Sequence, residues 1–176
     1  MTRRAVFLDR DGVLVETAVR GSRAFAPVSL EEFRITENAG PLVERLRQRG
    51  LLPIVFTNQP DVGRGIIVPA VLEAMHARLR AAVPVEDIFV CVHDSTAGCE
   101  CRKPRPGMLR AAAEKWAIDL PRSFVVGDRW QDVDAGRAAG CTTILIERPY
   151  SGPAAADAVV TDLKSAVDAV LERLGG

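Results

Sequence analysis

No apolar run in this 176-residue sequence approaches the roughly 18 residues that a membrane-spanning helix needs. No secretory leader is expected either. Arg3 and Arg4 open the chain with two cations, but the apolar stretch behind them stops at Asp9, too short for a signal-peptide core. The expected compartment is the cytosol, with no membrane partner. Neither sign of charge is in excess: 23 Lys and Arg face 23 Asp and Glu, for a formal net charge of zero and a pI near 6.7. That excludes the broad basic footprint of a non-specific nucleic-acid or anionic-membrane binder, while leaving room for a few local cations. Repeats, low-complexity tracts and linkers are absent, and the length suits a single domain over residues 1–176. With 48% hydrophobic and 26% charged residues the chain reads as globular, and no apolar stripe marks a partner face, so monomer is the expectation.

Cysteine is scarce but clustered. Of Cys91, Cys99, Cys101 and Cys141, three lie within eleven residues, with His93 among them. In a reducing compartment this reads as metal binding before disulfide formation. Cys141, after Gly140, reads as a small buried residue.

Short apolar runs alternate with helical patterns. The runs are Ala5 to Leu8, Leu51 to Phe56, Ile88 to Val92, Phe124 to Val126, Thr142 to Ile146 and a short one at Ala158 to Val160. They are rich in Val, Ile and Phe without polar alternation, as strands covered on both faces should be. Helical spacing recurs over 38–49, 69–82, 106–117, 132–139 and 162–174, with Gly50 and Gly140 as stops. Alternating strands and helices predict an α/β domain with a mostly parallel sheet. Ligands of such sheets bind beyond the carboxyl ends of the strands, where this sequence places Asp9, Thr57, His93 and Asp128.

Four segments at these strand ends carry chemistry. Asp9-Arg10-Asp11-Gly12 puts two carboxylates two residues apart, on one side of an extended chain, before a glycine turn. Their repulsion can be relieved by a shared proton or by a cation such as Mg²⁺, which takes oxygen ligands. Alone, the string also suits an Asp-Gly turn with a solvated neighbour. Thr57-Asn58-Gln59 offers a hydroxyl and two amides, or an ordinary strand-end turn. Arg102-Lys103-Pro104 offers two cations for a phosphoryl group, or a solvated basic pair. Gly127-Asp128-Arg129-Trp130-Gln131-Asp132 adds two carboxylates four apart, of which Asp132 also suits a helix cap.

In this order, over Phe7 to about Gly140, the segments resemble the motifs of the haloacid dehalogenase superfamily of phosphatases. The resemblance implies a Rossmann-like three-layer α/β/α fold and roles for each residue. Asp9 is the implied nucleophile of an aspartyl-phosphate and Asp11 the general acid and base. Thr57 and Lys103 hold the transferring phosphoryl group, and Mg²⁺ sits on Asp9, Asp128 and the backbone carbonyl of Asp11. Asp132 stands at or just outside that shell. The chemistry agrees, since phosphoryl transfer needs an in-line nucleophile, a divalent ion and positive donors around the equatorial oxygens.

Cys91-x-His93 followed by Cys99-x-Cys101 gives three thiolates and an imidazole, a donor set for a structural Zn²⁺ site two residues before Lys103. Incidental core cysteines are the alternative. This loop is similar to that of two small capless branches, the heptose bisphosphate and the histidinol-phosphate phosphatases. Arg64-Gly65 and the run from Cys101 to Met108 lean toward the heptose branch; Pro60-Asp61 departs from its Ser-Gly. The implied substrate is a small phosphorylated sugar that loses its C7 phosphate. Arg64 and Arg102 become candidates for the second phosphate or the sugar hydroxyls, and Asn58 for substrate positioning. The polar, patternless stretch after Val15 is long enough for a flap but not for a cap domain.

Other readings use the same residues. A DNA 3′-phosphatase is disfavoured by zero net charge and a single tyrosine. A phosphoacceptor signalling domain expects its aspartate on a middle strand and needs no Cys/His loop. A zinc-organised binding module leaves Asp9 and Asp11 unexplained.

Overall fold

The computed structural model describes residues 2–175. Six strands form one parallel sheet: β1 (Arg4–Leu8), β4 (Leu51–Asn58), β5 (Asp87–Cys91), β6 (Phe124–Gly127), β7 (Thr142–Ile146) and β8 (Ala158–Val160). Their spatial order is β5-β4-β1-β6-β7-β8. The chain builds outward from β1 on one side to β5, then crosses to β6 on the other side of β1. That reversal is the switch point where open parallel sheets bind ligands. It leaves β1 between β4 and β6, with Phe7 paired to Ile54 on one side and Val125 on the other.

Alternation along the strands sorts two cores. Val6, Leu8, Val55, Val126 and Ile144 face helices α1 (Ala39–Gln48), α3 (Pro69–Ala82) and α6 (Leu163–Gly175). Ala5, Phe7, Ile54, Phe56 and Val125 face α4 (Gly107–Trp116) and α5 (Trp130–Ala139). Successive side chains of a strand point to opposite faces, so a strand covered twice must be apolar throughout. Pro53 sits inside β4, yet the β5 ladder begins only at Ile54–Asp87, so its missing N–H breaks no rung there.

Three details differ from the sequence expectation. β4 runs to Asn58, so Thr57 and Asn58 lie within the strand end, not past it. A four-residue helix α2 (Pro60–Gly63) follows directly, too short for any periodic signal. The flap contains a hairpin, β2 (Ala18–Arg20) and β3 (Arg23–Phe25), turning at Gly21 (φ +61°) and Ser22. A positive φ at the first of two turn residues is the primed geometry that matches strand twist. Its strands rest on no core face, so no burial pattern announces them.

Candidate active site and metal clusters

The chain leaves β1 through a backbone hydrogen bond from Asp9 to Val126 of β6 (3.0 Å) and at once folds tightly. The Arg10 carbonyl accepts from the amides of Leu14 (3.0 Å) and Val15 (2.9 Å). Gly12 adopts φ +89°, and a Cβ there would strike the Asp128 carboxylate, so the turn demands glycine twice over. This loop sets both Asp9 and Asp11 at the carboxyl edge of the sheet.

Lys103 arrives from the loop before α4 and is buried. Its Nζ lies 2.9 Å from Asp9 Oδ1, 2.6 Å from Asp132 Oδ1 and 3.2 Å from the Phe56 carbonyl. Its backbone is clamped by Asn58, whose Oδ1 accepts from the Lys103 amide (3.1 Å) and whose Nδ2 donates to its carbonyl (3.3 Å). Burial alone would lower the lysine pKa, but Asp132 and Asp9 hold it raised. The second Asp132 oxygen accepts from the amides of Asp128 (3.2 Å) and Arg129 (3.0 Å), capping α5 from its third position. Asp132 is thus fully engaged.

Asp128 is the opposite. It is completely buried, and neither carboxylate oxygen has a well-formed hydrogen bond; the Tyr150 hydroxyl beside it only partly offsets the effect of burial on its pKa. Burial first and the Asp132 charge second push its pKa up to about 6. Asp9 is also raised well above the usual range, by burial and by Asp132, Asp128 and Asp11 against the pull of Lys103. Oxygens of Asp9, Asp128 and Asp132 lie within 4.8 Å of one another. Orphaned buried oxygens and mutually opposed carboxylates suit a hard divalent cation with oxygen ligands.

Asp11 stands apart from that group. Arg10 grips it through Nε to Oδ1 (2.9 Å) and Nη2 to Oδ2 (2.9 Å). Gln59 Nε2 donates to Asp11 Oδ2 (2.7 Å) and to Thr57 Oγ1 (2.8 Å), which leaves the Thr57 hydroxyl proton free to point elsewhere. The motifs named Gln59 only as one of two strand-end amides and assigned no role to Arg10 or His76. A buried position is not visible in a string of polar residues, and only the Arg10 position inside the Asp-x-Asp motif hinted at a role.

The Cys/His loop closes beside this site. Sulfur atoms of Cys91, Cys99 and Cys101 are 2.9 to 3.6 Å apart, and His93 Nδ1 lies 3.5 Å from Cys91 and 3.3 Å from Cys101. Tetrahedral zinc with Zn–S bonds of about 2.3 Å spaces its sulfurs roughly 3.7 Å apart, so the four donors fit with a small expansion. Burial and the two neighbouring thiols push Cys101 up to about 12, whereas Cys99 is held near 7 by the Arg102 amide against desolvation. Three thiolates together need a cation. His93 therefore belongs to this cluster and not to the strand-end carboxylates. Cys141 is buried behind α5, as a small core residue.

A cleft of about 850 Å³ opens over Asp9, Asp11, Thr57 and Lys103. The flap hairpin forms its far wall. Arg20, Arg34, Arg64, Arg102 and Arg129 line it, together with Asn58. Arg64 is half-exposed and pairs with Asp61 (3.2 Å); Arg102 donates to the His93 carbonyl (2.9 Å). The flap is tied down at Thr17, 3.3 Å from the Tyr150 hydroxyl, and at Ala24, whose carbonyl takes Arg129 Nη2 (3.4 Å).

A parallel sheet with this switch point, and an aspartate pair, threonine, lysine and distal aspartates at its edge, defines a haloacid dehalogenase-like hydrolase. A HAD-hydrolase-like family model matches residues 100–175. The chain is 38% identical over 152 residues to the D-glycero-beta-D-manno-heptose-1,7-bisphosphate 7-phosphatase of Pseudomonas aeruginosa, spanning 84% of this chain and 83% of that one. It is 30% identical over 165 residues to the alpha-anomer 7-phosphatase of Photorhabdus laumondii, spanning 85% and 87%. The D,D-heptose 1,7-bisphosphate phosphatase of B. bronchiseptica, solved with magnesium and phosphate, superposes with a TM-score of 0.83 at 30% identity, covering 97% of this chain and 99% of that one. The chain belongs to the haloacid dehalogenase-like family, on the branch shared with these heptose bisphosphate phosphatases. None of the helices among the described residues is long and apolar enough to cross a membrane.

Proposed function

We propose that this chain, as one catalytic domain without a cap, is a Mg²⁺-dependent phosphatase that removes the 7-phosphate of D-glycero-D-manno-heptose 1,7-bisphosphate through an aspartyl-phosphate. The observation that carries the reading is the contact of Asp9 with Lys103 (2.9 Å) at the floor of a cleft whose rim also presents Asp11. The relatives' shared activity supports the substrate.

Asp9 Oδ attacks the phosphorus as the bond to the C7 oxygen breaks, and Asp11 gives its proton to that departing oxygen. Lys103 and the free Thr57 hydroxyl proton face the equatorial phosphoryl oxygens, where charge must be balanced. Asp11 then takes a proton from water, which attacks the phosphorus and releases inorganic phosphate and the Asp9 carboxylate. Asp9, Asp128 and the Asp11 carbonyl hold Mg²⁺, which when bound neutralises charge on the phosphoryl oxygens and the carboxylates. Asp132 stays outside as the partner of Lys103. Asn58 fixes the Lys103 backbone from the rim, while Arg64, Arg102 and the flap meet the sugar and its second phosphate. Cys91, His93, Cys99 and Cys101 would hold Zn²⁺, whose closed donor set would pin the loop that delivers Lys103.

The test is phosphate release from both anomers of the heptose bisphosphate, from histidinol phosphate and from a 3′-phosphorylated oligonucleotide, with and without Mg²⁺. One heptose anomer with kcat/KM far above the rest is the expected result. Comparable weak release across the panel would keep the chemistry and reject the substrate.

A further inference from the structure

Arg10 has the largest volume among the fully buried side chains of the described residues. A buried guanidinium is tolerated only if its donors are met. Here they are met from several sides. Its Nε and Nη2 form the two-pronged grip on Asp11, both at 2.9 Å. Its Nη1 lies 3.3 Å from Nε2 of His76, which is buried on α3. Its plane lies over the Phe33 ring, 5.4 Å from the centroid. Arginine can only donate, so His76 Nε2 must accept and the ring proton must sit on Nδ1. Burial, then the Arg10 and Arg80 charges, push His76 down to about 4, which keeps the imidazole neutral and able to accept.

We propose that Arg10, buttressed by His76, is a positioning residue that aims the Asp11 carboxyl at the oxygen of the departing alcohol. The inference rests on the reading of Asp11 as general acid. A carboxyl held at one oxygen can rotate; held by a fork at both, with Gln59 as a third donor, it has one orientation. Orientation of this acid matters when the leaving group needs a proton. A sugar alkoxide is strongly basic and leaves only as it is protonated, whereas p-nitrophenolate leaves unaided. Misaiming Asp11 should therefore slow sugar phosphates far more than p-nitrophenyl phosphate. A purely structural role for Arg10 would slow both alike. The parameter kcat/KM reports steps through the release of the alcohol, so later hydrolysis of the aspartyl-phosphate does not blur the comparison.

The experiment measures kcat/KM on the heptose bisphosphate and on p-nitrophenyl phosphate for the wild type and for Arg10→Lys, His76→Leu, His76→Gln and Asp11→Asn. Arg10→Lys keeps the charge but loses the fork, and its alkyl-to-aryl ratio should fall by about tenfold or more, within the range of general acid catalysis. Asp11→Asn should lower the ratio at least as far. His76→Leu should lower it by about threefold, and His76→Gln, which restores an acceptor, should recover most of that loss. Equal losses on both substrates, or no loss, in folded Arg10 and His76 variants would overturn the proposal. If Arg10→Lys fails to fold, the His76 pair decides alone by the same ratio. If wild type releases phosphate from neither substrate, or Asp11→Asn leaves the ratio unchanged, it is the functional reading that fails.

Discussion

The two candidate metal clusters lie on either side of Lys103 and are built on opposite terms. The carboxylate cluster is buried, and its ligands are held in place by other charges: Asp132 by Lys103 and two amides, Asp9 by Lys103 and the Arg10 amide (2.7 Å). Only Asp128 is left without partners. The Cys/His cluster sits on a partly exposed loop, where His93 and the neighbouring Asp94 to Gly98 have little core beneath them. One is a rigid pocket with an unmet charge; the other is a loop whose order depends on its own ligands. A rigid sheet edge can afford an uncompensated carboxylate because the fold holds it there regardless. A loop cannot, and needs a closed set of donors.

The contrast breaks most sharply at Asp9. Asp9→Asn should cut turnover by about 10³-fold or more while the melting temperature and zinc content stay near wild type. Activity near wild type would remove the carboxylate cluster from the chemistry altogether.

Cys99→Ser attacks the other side. Zinc stoichiometry should fall toward zero and Tm by roughly 5–10 °C, a loss of about 2–3 kcal/mol for a chain of this size. Turnover of the still-folded fraction should fall less than in Asp9→Asn. A zinc-free protein of equal stability and full activity would mean that the loop does not hold Lys103.

A third measurement concerns the unmet charge. In the folded chain Asp128 has a pKa raised to about 6, chiefly by burial. The native state then binds a proton that the unfolded chain releases near its ordinary value, so stability falls as pH rises through about 4 to 6. By pH 7 the penalty is fully present, on the order of 3 kcal/mol. Asp128→Asn lacks it, so without metal the variant should gain on wild type in Tm between pH 4 and pH 7. Millimolar Mg²⁺ should raise the wild-type Tm at pH 7 and do little at pH 4. Parallel curves for the two proteins would show that Asp128 carries no such strain.

The smallest effect is expected at Asn58, whose two hydrogen bonds link β4 to the Lys103 backbone. Asn58→Ala should lower kcat several-fold and stability by about 1–2 kcal/mol. A rise in KM alone would assign Asn58 to substrate contact instead.

Much of the candidate site was legible in the sequence. Asp9, Thr57 and Asp128 each follow or end a run of apolar residues, Lys103 stands two residues past the last Cys of the Cys/His loop, and the two ligand sets of that loop lie close together in the chain. The central strands of the main sheet were readable for the same reason, since strands buried on both faces have few polar residues to interrupt them, and the half-buried edge strands β5 and β8 still read as short Val/Ile/Phe/Ala-rich runs. The hairpin at 18–25 was not, because its strands are exposed and pair only with each other. Nor were the present partners of Asn58 and Arg102. Both are polar residues beside a phosphate motif, and nothing in a one-dimensional string separates a side chain that meets a ligand from one that ties two loops.

The order of apolar runs and strand-end residues, by itself, determined the α/β class, the edge where chemistry lies and the donors available there. Local pattern suffices for this because burial on both faces and turn chemistry act over a few residues. The tertiary structure alone decided that Asp132 would be saturated and Asp128 left bare, and that Arg10 would be buried between Asp11 and a histidine 66 residues away. Those outcomes depend on which strands become neighbours and on how much water their packing excludes, and burial of that kind is a property of the assembled fold.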